Sequence, residues 1–110
     1  MKNKKIIIRV DALAEIGIGH FIRCKALAIK IMEYGVEVIF AIKTSNNEYK
    51  RELHLLGCSI HEINIDSNFY DDAIQTASCA INNQSDLIIA DISSDLNVKN
   101  SKEFITSAIL

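Results

Sequence analysis

The sequence has no proline. Together with a hydrophobic content of 49%, that absence argues against a disordered chain. Cysteine is scarce and odd in number: Cys24, Cys58 and Cys79 stand far apart, with no Cys-x-x-Cys among them. This excludes a disulfide framework, and the three thiols read as reduced, mostly buried small apolar residues. No apolar run approaches the roughly 18 residues that would span a bilayer. Lys2, Lys4 and Lys5 do precede Ile6-Ile7-Ile8, but Arg9 and Asp11 cut the run short. A signal peptide needs an apolar core of about 7–15 residues. The segment therefore reads as a strand with a charged lead-in, and the expectation is a cytoplasmic protein with no membrane insertion. Zinc, EF-hand, P-loop and Ser-His-Asp patterns are all missing, so neither metal nor cofactor is expected.

Charge of one sign is also lacking. The formal net charge is −2, which argues against nucleic acid as a partner. Its distribution is uneven: residues 1–51 carry 10 Lys and Arg against 5 Asp and Glu, and residues 52–110 carry 2 against 9. All three arginines, Arg9, Arg23 and Arg51, lie in the first half. Either the first half approaches an anionic ligand or the imbalance is incidental.

What is present is a regular alternation of strand and helix patterns. Lys4–Val10 reads as a fully buried strand, with Ile6-Ile7-Ile8 continuous and β-branched. His20–Tyr34 reads as a helix with Ala26, Leu27, Ala28, Ile31 and Met32 on its apolar side, stopped by Gly35. Glu37–Ile42 is a second buried strand, and Asn47–Leu56 a short amphipathic helix closed by Gly57. Ser59–Ile65 is a third strand near an edge, Asp66–Tyr70 a loop, and Asp71–Asn82 a third helix. Leu87–Ala90 is a fourth buried strand, and Ser94–Ile109 a last, weakly patterned helix. This β-α alternation predicts an α/β fold, a Rossmann-like parallel sheet in the order 3-2-1-4 with helices on both faces. Ligands of such folds bind at the carboxyl ends of strands 1 and 4, where the order reverses.

The stretch from Arg9 to Cys24 leads from the first strand into the first helix. It holds Asp11, Glu15, Gly17, Ile18, Gly19 and His20. A Gly-x-Gly-His loop opening a helix puts backbone N–H groups and an imidazole at one point, suited to a polar or anionic substrate and to proton chemistry. It is not the dinucleotide fingerprint, which would need glycine where Ile22 stands. The helix dipole disfavours a positive ring at His20, while Asp11 or Glu15 would orient it. Asp11 and Asp91 end strands 1 and 4 and are expected to flank one crevice, or else to cap the loops that follow. Arg23, one turn beyond His20, binds phosphate or pairs with a carboxylate. Asp71-Asp72 reads as a helix N-terminal charge pair, and His54 and His61 as surface residues.

The string Arg9-Val10-Asp11-(x)4-Ile16-Gly17-Ile18-Gly19-His20-(x)2-Arg23-Cys24-(x)2-Leu27-Ala28 closely resembles the amino-terminal signature of the PseG/SpsG-like sugar-nucleotide enzymes. That family includes the UDP-sugar hydrolase of pseudaminic acid biosynthesis and related spore-coat polysaccharide proteins. The resemblance implies a two-domain GT-B architecture, of which residues 1–110 are the amino-terminal Rossmann-like domain. The carboxyl-terminal half, which grips the nucleotide, is absent from this chain and would act as its partner. It further implies catalysis by His20 on the attacking water, with Asp11 at the strand end. Gly17, Ile18, Gly19, Arg23 and Asp91 would contact a UDP-sugar. Asp91 is followed by Ile92 and Ser93, whereas the hydrolase branch tends to carry an aromatic two residues past the aspartate, so the sugar stays open. A glycosyltransferase half and a non-catalytic Rossmann-like module are the alternatives.

Overall fold

The computed structural model describes residues 4–13 and 18–91. They form β1 (Lys5–Asp11), α1 (Ile18–Met32), β2 (Glu37–Lys43), α2 (Asn47–Leu56), β3 (Ser59–Glu62), α3 (Phe69–Asn83) and β4 (Leu87–Asp91). The last expected helix, 94–109, lies outside the described residues, as does Gly17. The four strands make one all-parallel sheet in the order β3-β2-β1-β4. The expected α/β, Rossmann-like arrangement is therefore present. No helix of the described residues is long and apolar enough to cross a membrane.

The sheet is covered on both faces, and the strand period of two assigns each residue to a face. Ile8, Val10, Phe40 and Ile42 pack with Phe21, Cys24 and Ala28 of α1 and Leu53 of α2. Ile7, Ile39 and Ala41 pack on the opposite face with Cys79 of α3. All three cysteines are free thiols and buried, as expected. Burial pushes the thiols of Cys58 and Cys79 above their ordinary range, so neither is a ready nucleophile.

Local chemistry sets most of the boundaries. Gly35 and Gly57 have φ of 77° and 96°, the left-handed region that ends α1 and α2. Asn46 and Asn68 cap α2 and α3 by accepting from Glu48 N and Asp71 N. β3 stops at Glu62 rather than Ile65 because Asn64 turns the chain, its side chain accepting from Asp66 N and its carbonyl from Ser67 N. Helix α1 begins at Ile18, two residues before the expected start, so Gly19 belongs to its first turn rather than to a loop. Its buried stripe is Phe21, Cys24 and Ala28, while Leu27, expected to face inward, is 38% exposed. The helix also leaves Ile22 and Ile29 exposed. It has more apolar residues than the sheet can cover, so composition alone does not single out the stripe.

A charged cluster is buried within the core. Arg9 follows Ile7 on the α3 face of β1 and is 0% exposed. Its Nε and Nη2 both donate to the Asp72 carboxylate in the first turn of α3, and Nη2 also donates to Asp11 Oδ1 at 2.7 Å. Lys43 of β2 lies 3.0 Å from Asp72 Oδ2. Asp71 alone is the exposed terminal acid that the Asp71-Asp72 pair suggested, for Asp72 is the buried counter-ion of Arg9. Burial pushes the Asp72 carboxyl up, but Arg9 and Lys43 outweigh it and hold it below the usual range.

Removing Asp72 leaves Arg9 in the core with only Asp11, among the described residues, to balance it. Asp72→Asn should therefore cost up to about 3–5 kcal/mol in urea unfolding, and adding Arg9→Met, which removes the buried cation, should recover part of that loss. Because the folded-state pKa of Asp72 lies below the unfolded one, the pair stabilises the fold above about pH 4. That contribution fades as pH falls through the lower folded value, and the acid limb of the stability profile should flatten in the double variant.

Candidate functional site

The carboxyl edge of the sheet gathers a second set of charges. In the β1–β4 register Val10 pairs with Asp91, so Asp91 shares the α1 face of the sheet. Asp11 is one residue further along and falls on the α3 face, where its Oδ1 accepts from Arg9. The two strand-end aspartates share one edge but serve opposite faces. They were expected to flank one crevice, and the register turns their side chains to opposite faces of that edge.

On the α1 face three residues of one helix converge on Asp91. His20, Arg23 and Cys24 stand at i, i+3 and i+4, the spacing that places side chains on one flank of a helix. His20 Nδ1 lies 2.7 Å from Asp91 Oδ1. Arg23 donates to Oδ2 from Nε at 3.1 Å and from Nη2 at 2.7 Å. The Cys24 thiol donates to the same Oδ2 at 3.4 Å. Arg23 Nη2 also lies 2.8 Å from His20 Nδ1. The side chains of His20 and Asp91 are 19% and 20% exposed, whereas that of Arg23 is 63% exposed.

These contacts set the protons. Partial burial pushes the Asp91 carboxyl up, but hydrogen bonds from Arg23, His20 and Cys24 outweigh it and hold it below its ordinary range. Asp91 is thus ionised at neutral pH and only accepts. A ring nitrogen 2.7 Å from such an oxygen carries the proton, so Nδ1–H donates, and in the neutral form of an imidazole so held the lone pair lies on Nε2. Nε2 has no hydrogen bond among the described residues. The Cys24 thiol is pushed up to about 12, first by burial and then by the charge of Asp91, so it holds its proton and acts only as a donor.

Ring orientation therefore rests on Asp91, and Asp11, expected in that part, has an oxygen on Arg9 across the sheet. Arg23 was expected to bind phosphate or pair with a carboxylate, and its Nε–Nη2 edge is on Asp91. Ile18 and Gly19 are exposed in the first turn of α1, beside His20. A Cβ built on Gly19 meets nothing within 4 Å, and its φ is not in the left-handed region. Among the described residues nothing requires glycine there, and a larger side chain would extend into open space.

A separate open hollow of about 460 Å³ lies beyond β2 and β3, lined by Thr44, Glu62, Asp66 and Gln75 among others, and shares no residue with the His20 group. Among the described residues no three His, Cys, Asp or Glu side chains gather into a group that would hold a metal ion.

The buried pairing of Arg9 with Asp72 was missed from sequence. Its signal was there: an arginine inside a continuously apolar parallel strand is buried with its neighbours and needs an acid. The His-x-x-Arg-Cys spacing likewise places three polar side chains on one flank of a helix.

No family model, no curated protein and no solved structure matches this chain.

Gly19→Ala separates fold from ligand. It should leave stability unchanged or raise it by up to about 1 kcal/mol, read as Tm. The same change should weaken binding of a substrate that lies against the first turn of α1, read as a raised KM.

Proposed function

We propose that this chain is the amino-terminal, catalytic half of a sugar-nucleotide hydrolase of the PseG/SpsG-like type. It cleaves the bond between sugar and UDP in nonulosonic (pseudaminic) acid or surface polysaccharide biosynthesis. The observation that carries the reading is the His20–Asp91 contact at the carboxyl edge of the sheet. A ring whose Nδ1–H is held by a carboxylate presents the Nε2 lone pair as a general base. It does so at the N-terminus of α1, whose first-turn N–H groups and dipole suit the oxygens of a polar or anionic substrate. The signature from Arg9 to Ala28 supplies the substrate class through its resemblance to that family.

In this reading His20 Nε2 takes a proton from a water molecule as its oxygen attacks the anomeric carbon. The bond from that carbon to the UDP oxygen breaks, and UDP leaves with the electron pair. Asp91 holds the ring and stabilises the imidazolium that forms. The nucleotide is gripped by a carboxyl-terminal GT-B half, in cis or in trans. A glycosyltransferase would use the same base on an acceptor hydroxyl instead of water.

The test is UDP release by the full-length enzyme across a panel of UDP-sugars and CMP-sugars, with and without acceptors. Hydrolysis without acceptor supports the reading, and turnover that needs an acceptor transfers it to the glycosyltransferase class. His20→Asn should lower kcat by about 10²–10⁴-fold, with KM little changed. Turnover within a few-fold of the parent would remove His20 from the mechanism.

A further inference from the structure

Two groups compete for one atom in this site. His20 Nδ1 is 2.7 Å from an oxygen of Asp91 and 2.8 Å from Arg23 Nη2. A single ring nitrogen cannot both donate to the first and accept from the second. If Nδ1–H donates to Asp91, the lone pair sits on Nε2 and the outward side of the ring is a base. If Nδ1 accepts from Arg23, the proton sits on Nε2 and the outward side is a donor. We infer that Arg23 is a positioning residue that selects the first of these tautomers by immobilising Asp91. This deepens the proposed function, since it concerns which end of His20 faces the substrate.

The argument runs through the two carboxylate oxygens. Asp91 Oδ2 accepts three times, from Arg23 Nε, Arg23 Nη2 and the Cys24 thiol. Oδ1 is the oxygen against the ring. Arg23 thus fills one oxygen with two charge-assisted bonds from a planar fork, which fixes the plane of the carboxylate and turns Oδ1 to His20. Its hydrogen bonds also help hold Asp91 ionised, so Oδ1 has no proton to give. With Oδ1 unprotonated at 2.7 Å, an Nδ1 lone pair would face an oxygen lone pair, and that arrangement is excluded. With Nδ1 protonated, the 2.8 Å approach of Nη2 to Nδ1 is a contact between two donors and not a hydrogen bond, and the two bonds of the fork to Oδ2 outweigh it.

Arg23 is the exposed member of the group, so it can be replaced without opening the core. Without it, Asp91 loses two of its donors, the carboxylate turns, and the ring relaxes towards the balance of an unrestrained imidazole.

Ring ¹⁵N spectra of the ¹⁵N-histidine-labelled chain read the tautomer directly, at a pH where the ring is neutral. The His20 signals are assigned by their loss in His20→Asn. The parent should show protonated Nδ1 and unprotonated Nε2. Arg23→Gln should shift the ratio of tautomers towards Nε2–H by on the order of tenfold, the scale of one charge-assisted hydrogen bond. Arg23→Lys, which returns the charge but not the two-bond fork, should restore it only in part. A parent ring protonated on Nε2 would overturn the inference, and so would an unchanged ratio in a folded Arg23→Gln chain. The spectra are read without turnover, so they stand apart from the UDP-release test. Absence of hydrolysis with the expected tautomer shift would sink the function and keep Arg23's role. Hydrolysis with no shift would do the reverse.

Discussion

Strand β4 ends level with Val10, one residue short of the end of β1, and in a pleated sheet that single residue decides which helix each terminal carboxylate meets. Asp91 falls on the face covered by α1, and Asp11 on the face covered by α3. The contacts of both strand-end aspartates follow from this parity. A shift of the β4 register by one residue would withdraw the acceptor from His20, Arg23 and Cys24 together. The same shift would press a third carboxylate towards Arg9, which together with Lys43 already balances Asp11 and Asp72.

The two clusters use similar residues for opposite ends because their burial differs. Arg9 and Asp72 are almost fully enclosed. Taking both out of water costs several kcal/mol per ion, and only the direct, multiply bonded geometry repays it. Such a pair fastens α3 to β1 and has no surface through which a substrate proton would pass. His20 and Asp91 are about four-fifths enclosed, with Arg23 open to solvent. There the desolvation is partial, one donor is exposed, and one ring nitrogen has no partner among the described residues. That is a place where a proton can arrive and leave. Of the arginines that suggested an anion-binding first half, Arg9 is therefore structural, and Arg23 has one edge committed to a carboxylate.

The order of elements was legible because its signals are local. The isoleucine run of β1, the glycines at positions 35 and 57 with positive φ, and the regular strand–helix alternation each act within a few residues. Those signals also predicted the sheet order. Pleat parity and helix facing are not local. Asp11 and Asp91 look alike in sequence, and only the register across strands separates them. In α1, Leu27 and Ile22 are as apolar as Phe21, and the choice among them is made by the sheet beneath. The helix start at Ile18 was also obscured, because glycine at position 19 reads as a loop residue. Its place in a helical turn is explained by open space rather than by backbone need.

The candidate site is thus built on rigid elements rather than on a loop. Asp91 is set by backbone pairing to β1, the innermost strand of the core. His20 is set by a helix whose next turn is anchored by Phe21, stacked on Tyr49 of α2 with ring centroids 4.4 Å apart, and by Cys24 and Ala28 in the core. In the proposed function, a base held this way would keep its direction while the substrate is absent, which is the preorganisation that proton transfer demands. The neighbouring first-turn positions, Ile18 and Gly19, have no such anchoring and stand exposed. The division is physically consistent: the groups that would move protons are fixed from behind by the sheet, and the surface that would meet a ligand is left open.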